Sequence, residues 1–352
     1  MTTSHSEFPL NQPGRLIASL PALLGFTPEK SLVLVTLESS ALGAVMRVDL
    51  TSRLADAMDR IADVVSAAKP DAAIAVVVDA DCSRCMMCAE DYRRLCAQLR
   101  GLLARQGITL LAAHVVDRVE AGGRWRCADL CGACGTVDDP ASSPLAMAAV
   151  LDGRRLYARR EDLQEVVRVQ DPARSERLAG VVAEQSSQRE RDTSGMQHDR
   201  ARRDVEDVMA LAGRVSAGAE LSDTEAAGLA CALTDVIVRD TLYALAVGER
   251  AADAEALWAA LSRLLPEPWR LEALALLAFS AYARGDGPLA GIALEAALRC
   301  GGEHRMASML DTALQSGMRP EQIRELAVSG YRMAAKLGIR LPPRRAFGRR
   351  AG

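Results

Sequence analysis

AAIAVVVDA, residues 72 to 80, is a run of small and β-branched apolar residues that carries a carboxylate, Asp79, just before its end. It is too short for a buried helix and rich in valine, so it reads as a strand covered on both faces of a sheet. Before it, residues 53–68 place Leu54, Ala57, Met58, Ile61, Val64 and Val65 at helical spacing, and Pro70 closes that helix. Earlier still, SLVLVTLE (31–38) is a second buried strand, and AVMRVDL (44–50) follows a Gly-containing turn as its hairpin partner. Leu16 to Gly25 reads as a short helix. Beyond the central run, a helix from Glu90 to Arg105 and a strand from Ile108 to Val119 complete a βαβ unit with the usual right-handed crossover. AGGR then turns the chain into a short strand at Trp125, and peripheral helices are expected over 144–152 and 160–169. The first domain is therefore expected to be α/β with a mixed sheet.

The pattern changes after residue 170. Residues 171–203 are Arg-rich and poor in large apolar residues after Val182, which reads as a linker or a solvated helix broken at Gly195. From 204 to 338 nearly everything has helical periodicity, with Pro266, Pro268, Gly285 and Pro320 marking turns. WRLEALALLAFSAYARGDGPLAGIALEAALRC (269–300) has the form of a helix, a Gly-Asp-Gly turn and a second helix, with small residues at Ala275, Ala278, Ala281, Ala290, Ala293 and Ala297. It resembles one tetratricopeptide-type hairpin. Three copies at that repeat length are not found, so an all-α bundle of helical hairpins is expected. The predicted organisation is a flexible N-terminus (1–13), an α/β domain with Cys-rich loops (14–170), the Arg-rich segment (171–203), the helical bundle (204–338) and a basic disordered tail (339–352).

The whole chain has 352 residues, 49% apolar and 25% charged, enough for two domains with cores of their own. Only 3% are aromatic, so those cores must rely on Leu, Val and Ala. The net charge of −3 offers no global field for nucleic acid or an anionic membrane, leaving the arginines of the tail as the one basic patch. Three of the 43 basic residues are lysine (Lys30, Lys69 and Lys336). No secretory signal or membrane span is read, so a cytoplasmic protein is expected, in which nine cysteines argue for thiols or metal ligands over disulfides.

GRLIASLPALLGFTPEKSLVLVTL (14–37) resembles the opening motif of the family called domain of unknown function 4192, through Leu16, Ile17, Pro21, Leu23, Leu24, Gly25, Phe26, Pro28, Ser31, Leu32 and Val33. The resemblance continues in RDTLYALAV (239–247) and in the 269–297 hairpin, and it implies no activity. Physically, Pro21 ends or bends the helix and Gly25 caps it in a left-handed conformation, so Phe26 can fold back onto the core.

Seven of the nine cysteines fall between residues 82 and 134. Cys82, Cys85 and Cys88 form C-x2-C-x2-C after the buried strand, and Cys127, Cys131 and Cys134 form C-x3-C-x2-C after a short one. Zinc takes four thiolates in a tetrahedron and each C-x2-C turn supplies two, so Cys85, Cys88, Cys131 and Cys134 are the expected zinc ligands, with Cys82 and Cys127 as further candidates. An iron–sulfur cluster is the alternative cofactor, although the first run lacks the closing Cys-Pro of a ferredoxin. A redox dithiol is a third reading. Cys231 and Cys300, in Ala-rich helices, read as small buried hydrophobes. His114 reads as a satisfied mid-strand residue. No P-loop, H-E-x-x-H or G-x-S-x-G occurs.

Asp79 and Asp81 end the central strand where open α/β sheets place ligands, and with Asp117 they are the weak catalytic candidates. The expected function is a non-enzymatic interaction or regulatory protein, zinc-stapled and meeting a protein partner through its helical domain. The alternative is an enzyme at the carboxyl edge of the sheet.

Overall fold

A computed structural model describes residues 12–38, 41–51, 53–67, 69–83, 86–151, 154–191, 197–301 and 304–345, without the side chains of residues 82, 83, 86 and 87. In chain order the first elements are α1 (Pro13–Leu24), β1 (Ser31–Glu38), β2 (Ala41–Asp49), α2 (Leu54–Ala67), β3 (Ala72–Val78), α3 (Met86–Arg105), β4 (Thr109–Val116), β5 (Arg124–Cys127), β6 (Cys134–Thr136), α4 (Pro144–Leu151) and α5 (Arg160–Gln164). Helices then follow as α6 (Pro172–Arg191), α7 (Gln197–Ser216), α8 (Asp223–Thr234), α9 (Val236–Leu242), α10 (Ala251–Leu264), α11 (Arg270–Arg284), α12 (Gly287–Arg299), α13 (Arg305–Gln315) and α14 (Pro320–Lys336). The chain forms two compact units, dividing between Asp162 and Leu163.

The sheet order is β2-β1-β3-β4-β5-β6. Only β3 and β4 run parallel; β1 is antiparallel to both of its neighbours, and β5 and β6 extend the other side as antiparallel strands. Every residue of β3 is buried, as a run with no polar alternation requires. On one face Leu32, Leu34, Ala73, Ala75, Val77, Ala113 and Val115 pack with Met58 and Ile61 of α2 and with Cys96, Leu99 and Leu103 of α3. Strand alternation turns Val33, Val76, Val78, His114 and Val116 to the opposite face. Gly25 caps α1 with φ 76°, as its position after the last apolar turn requires, while Pro21 is carried inside the helix.

Several boundaries move from expectation. The hairpin strand β2 begins at Ala41 and takes an irregularity between Val35 and Leu37 of β1. The helix after the cysteine run begins at Met86, one turn before Glu90, and β4 ends at Val116 because Asp117 turns the chain. The expected flexible N-terminus lies outside the described residues as far as residue 11.

In the second unit, Arg-rich residues 172–191 are a helix tied to the bundle, not a linker: Leu178 and Val182 are fully buried on it. Arg189 on that helix makes a two-pronged ion pair with Asp204 of α7, at 3.0 and 2.8 Å. The 269–300 segment folds as the expected hairpin, with Gly285 (φ 88°) capping α11 and the Asp286 side chain accepting from Leu289 N–H at the start of α12. The tail expected to be disordered from 339 is docked as far as Arg345. Ile339 and Leu341 are buried, Glu249 N–H donates to Pro343 O and Arg345 N–H to Val247 O. Its prolines cannot continue a helix but leave carbonyls free to pair with a neighbouring strand-like segment. Among the described residues no helix is long and apolar enough to cross a membrane.

Candidate functional site: a cysteine hairpin at the sheet edge

β5 and β6 form a hairpin whose register is fixed from both sides. Asp117 closes the β4–β5 turn, its Oδ1 accepting from Arg124 N–H at 2.7 Å, which sets His114 opposite Cys127 and Val116 opposite Trp125. Arg126 then faces Cys134, and Gly135 faces Trp125. The pairing of Trp125 with Gly135 follows from size: a Cβ on Gly135 would meet the indole at 3.0–3.1 Å. The indole also meets His114 edge-to-face, with centroids 5.3 Å apart.

The turn between the strands carries two left-handed residues, Leu130 (φ 57°) and Gly132 (φ 87°). This curl folds the chain back on itself and brings the Cys127 and Cys131 thiols within hydrogen-bonding reach of each other. The backbone groups of Asp129 and Cys131 donate to the Cys127 sulfur, and Ala133 N–H donates to Cys131. Ala133 N–H, with Cys127 as the second cause, holds the exposed Cys131 below the usual thiol range. Burial, with Cys131 second, pushes Cys127 up. A two-pronged bridge from Arg100 of α3 to Asp129, at 3.0 and 2.7 Å, fastens the turn to the helix.

The remaining candidates are placed differently. Cys96, one turn before Arg100 on α3, is 1% exposed, and burial pushes its thiol up to about 12. Cys88 precedes Arg100 by twelve residues on the same helix, about 18 Å at roughly 1.5 Å per residue, so it does not join the hairpin thiols. Cys134 lies opposite Arg126 and thus on the other sheet face from Cys127. Accordingly, of the four expected zinc ligands the described residues leave Cys131 with a new partner, Cys127, while the side chains of Cys82 and Cys85 lie outside the description. Among the described residues no group of three or more His, Cys, Asp or Glu is placed to hold a metal ion.

Asp79 and Asp81 do meet at the carboxyl edge of the sheet. Asp79 is 5% exposed; its Oδ2 accepts from Tyr92 OH at 2.6 Å and its Oδ1 from Asp81 N–H at 3.2 Å. Lys30, at φ 41°, reaches Asp81 at 2.5 Å and Asp79 at 3.6 Å. These carboxylates are thus held by local donors. Asp117, on the neighbouring strand end, is occupied by the Arg124 amide and by Arg118. Tyr92 and Lys30 carried no sequence signal, because their arrival depends on the phase of α3 and on a single left-handed residue before β1.

A mixed α/β unit carrying a cysteine hairpin, followed by a helical unit of hairpins, is the class of protein these elements define. The chain belongs to the family described as Domain of unknown function (DUF4192), whose model matches residues 13–321. Comparisons with curated proteins and with solved structures gave no match.

Proposed function

We propose that this is a non-enzymatic regulatory or interaction protein of the cytoplasm whose β5–β6 hairpin holds a zinc ion through the thiolates of Cys127 and Cys131. The observation that carries the reading is the adjacency of the two sulfurs in the turn, with the exposed Cys131 held below the usual thiol range by the Ala133 amide and then by Cys127. A lowered thiol favours the thiolate, the form in which cysteine binds metal. A reducing compartment keeps these thiols available as ligands. The helical unit offers the interaction half of the proposal a shallow, open depression of about 490 Å³, lined by Met209, Leu341, Pro342 and Pro343 with Glu249, Arg250 and Arg340 at its sides. A protein partner presenting an apolar side chain would suit it.

The same adjacency favours a second reading, a dithiol switch. An exposed Cys131 attacks a low-molecular-weight disulfide and forms a mixed disulfide, releasing one thiol. The half-buried Cys127 then displaces the second thiol and closes an intramolecular disulfide, so two protein thiols are oxidised as one external disulfide is reduced. Elemental analysis and an absorption spectrum of protein purified under reducing conditions separate the readings. Zinc near one equivalent and a colourless protein support the first. A metal-free protein that forms the Cys127–Cys131 disulfide with oxidised glutathione supports the second and overturns the first. A brown protein that bleaches on reduction belongs to an iron–sulfur centre and overturns both.

A further inference from the structure

We propose that helix α4 and the arginines that follow it form a docking surface for an anionic lipid bilayer, which takes the side chains of Met147, Val150 and Leu151 among its acyl chains while Arg155 and Arg159 meet its headgroup phosphates. The inference concerns a different part of the first unit from the cysteine hairpin and is independent of the metal reading.

The sequence of α4, PLAMAAVL (144–151), has no polar residue, and the structure sets it inside out. Its small residues Ala146 and Ala149 are buried, on a helix that packs against α1. Met147, Val150 and Leu151, at helical positions i, i+3 and i+4, share the other face and are 54%, 63% and 83% exposed. Burial of large apolar side chains is the main gain of folding, so a helix that buries alanine and shows leucine to water forgoes that gain within its own unit. A contiguous apolar face of this kind marks an interaction site.

Charge decides the occupant. Residues 144–160 carry four arginines against one acid, Asp152, a local excess of +3 in a chain whose net charge is −3. Arg154 N–H donates to Ala149 O at 2.8 Å, so the chain folds straight back at the end of α4 and leaves the exposed Arg155 beside its last turn. Tyr157 then forms a bridge with Phe26, its N–H donating to Gly25 O at 2.8 Å, which straps the segment to the end of α1 just before the exposed Arg159. The Arg154 guanidinium turns inward to Ala22 O, whereas among the described residues no acid pairs with the side chain of Arg155 or Arg159. Apolar side chains projecting beside such cations suit a surface that is apolar within and anionic at its face, and a fluid bilayer accommodates Leu151 at a helix end without a shaped pocket. Three apolar side chains and two arginines make the attachment weak and reversible.

The test is co-sedimentation of the full chain with vesicles of phosphatidylcholine and phosphatidylglycerol in equal parts, against vesicles of phosphatidylcholine alone, with light scattering of the free protein. The expected result is preferential binding to the anionic vesicles, weakened by added salt and, by roughly fivefold for each arginine removed, in Arg155→Gln and Arg159→Gln. Leu151→Asp should bind at least about tenfold more weakly than wild type while melting at the same temperature, because so exposed a side chain has little packing to lose. Wild type that fails to bind the anionic vesicles, or binding that Leu151→Asp and the arginine variants leave unchanged, overturns the proposal. A wild-type dimer that Leu151→Asp turns into a monomer also overturns it, because a second copy then covers this face.

Discussion

Single residues decide how firmly the sheet edge is held. Asp79 keeps its carboxylate under the surface because Tyr92 donates to it at 2.6 Å. Tyr92→Phe removes that donor and leaves the acid under-satisfied, at an expected cost of about 1.5–3 kcal/mol for a hydrogen bond to a charged group. Urea unfolding of the variant checks this, and an unchanged midpoint would show that water replaces the hydroxyl. At the hairpin, Gly135 is required by the indole of Trp125 lying over it. Gly135→Val should cost about 1–3 kcal/mol as an overpacked contact, read as a lower urea midpoint. Much of this scale was hidden in the sequence. That Asp79 and Asp81 follow a buried strand could be read from AAIAVVVDAD (72–81), whereas the Tyr92 hydroxyl reaches Asp79 only through the phase of a helix whose first turn lies in the cysteine run. His114 looked like a satisfied core residue, yet its Nδ1 is buried without a hydrogen-bond partner, and its place opposite Cys127 depends on the length of the turn closed by Asp117.

At the scale of elements, periodicity was the readable signal. The strands at 31 and 72, the helix between them and the Gly285 turn follow from patterns that have few alternatives. Gly285→Ala tests the last of these: at φ 88° an added Cβ should cost about 1–2 kcal/mol, seen as a lower melting temperature. Between linker and solvated helix the sequence left α6 open because its buried stripe is thin: Leu178 and Val182 carry it amid Arg, Glu, Ser and Gln. The start of α8 carries a capping box, with Ser222 Oγ accepting from Glu225 N–H while the Glu225 carboxylate accepts from Ser222 N–H. That donor, followed by Arg214, holds Glu225 down at about 2 from an ordinary 4.5. A depressed carboxylate adds stability that is full above the ordinary value and is lost as pH falls through the folded one. Glu225→Gln should therefore melt earlier than wild type at neutral pH, with the gap narrowing between pH 4.5 and about 2. A gap that stays constant across that range would contradict the capping role.

For the whole molecule, the division into two units was visible as a change from alternating strand and helix patterns to uninterrupted helical ones, although the boundary falls near Asp162 and not at 170. The difference arises because residues 163–170 are too few and too polar to show which core they join; Leu163 and Val167 are the buried ones. Each unit has its own apolar core, so residues 163–348 produced alone should fold, with a cooperative helical transition by circular dichroism. A featureless melt would show that the helical unit needs the first to hold its shape. The docking of the chain end to Arg345 belongs to this scale too: two prolines and a cluster of arginines suggested disorder, but Ile339 and Leu341 anchor the segment.

The metal reading is tested most directly at the sulfurs themselves. Alkylation by iodoacetamide, followed by mass spectrometry of the full chain's peptides, reports each cysteine separately. With zinc present, Cys127 and Cys131 should react slowly, and EDTA should release both together while leaving Cys134 and the buried Cys231 unchanged. Equal labelling of Cys127 and Cys131 with and without the chelator would contradict a metal at this hairpin.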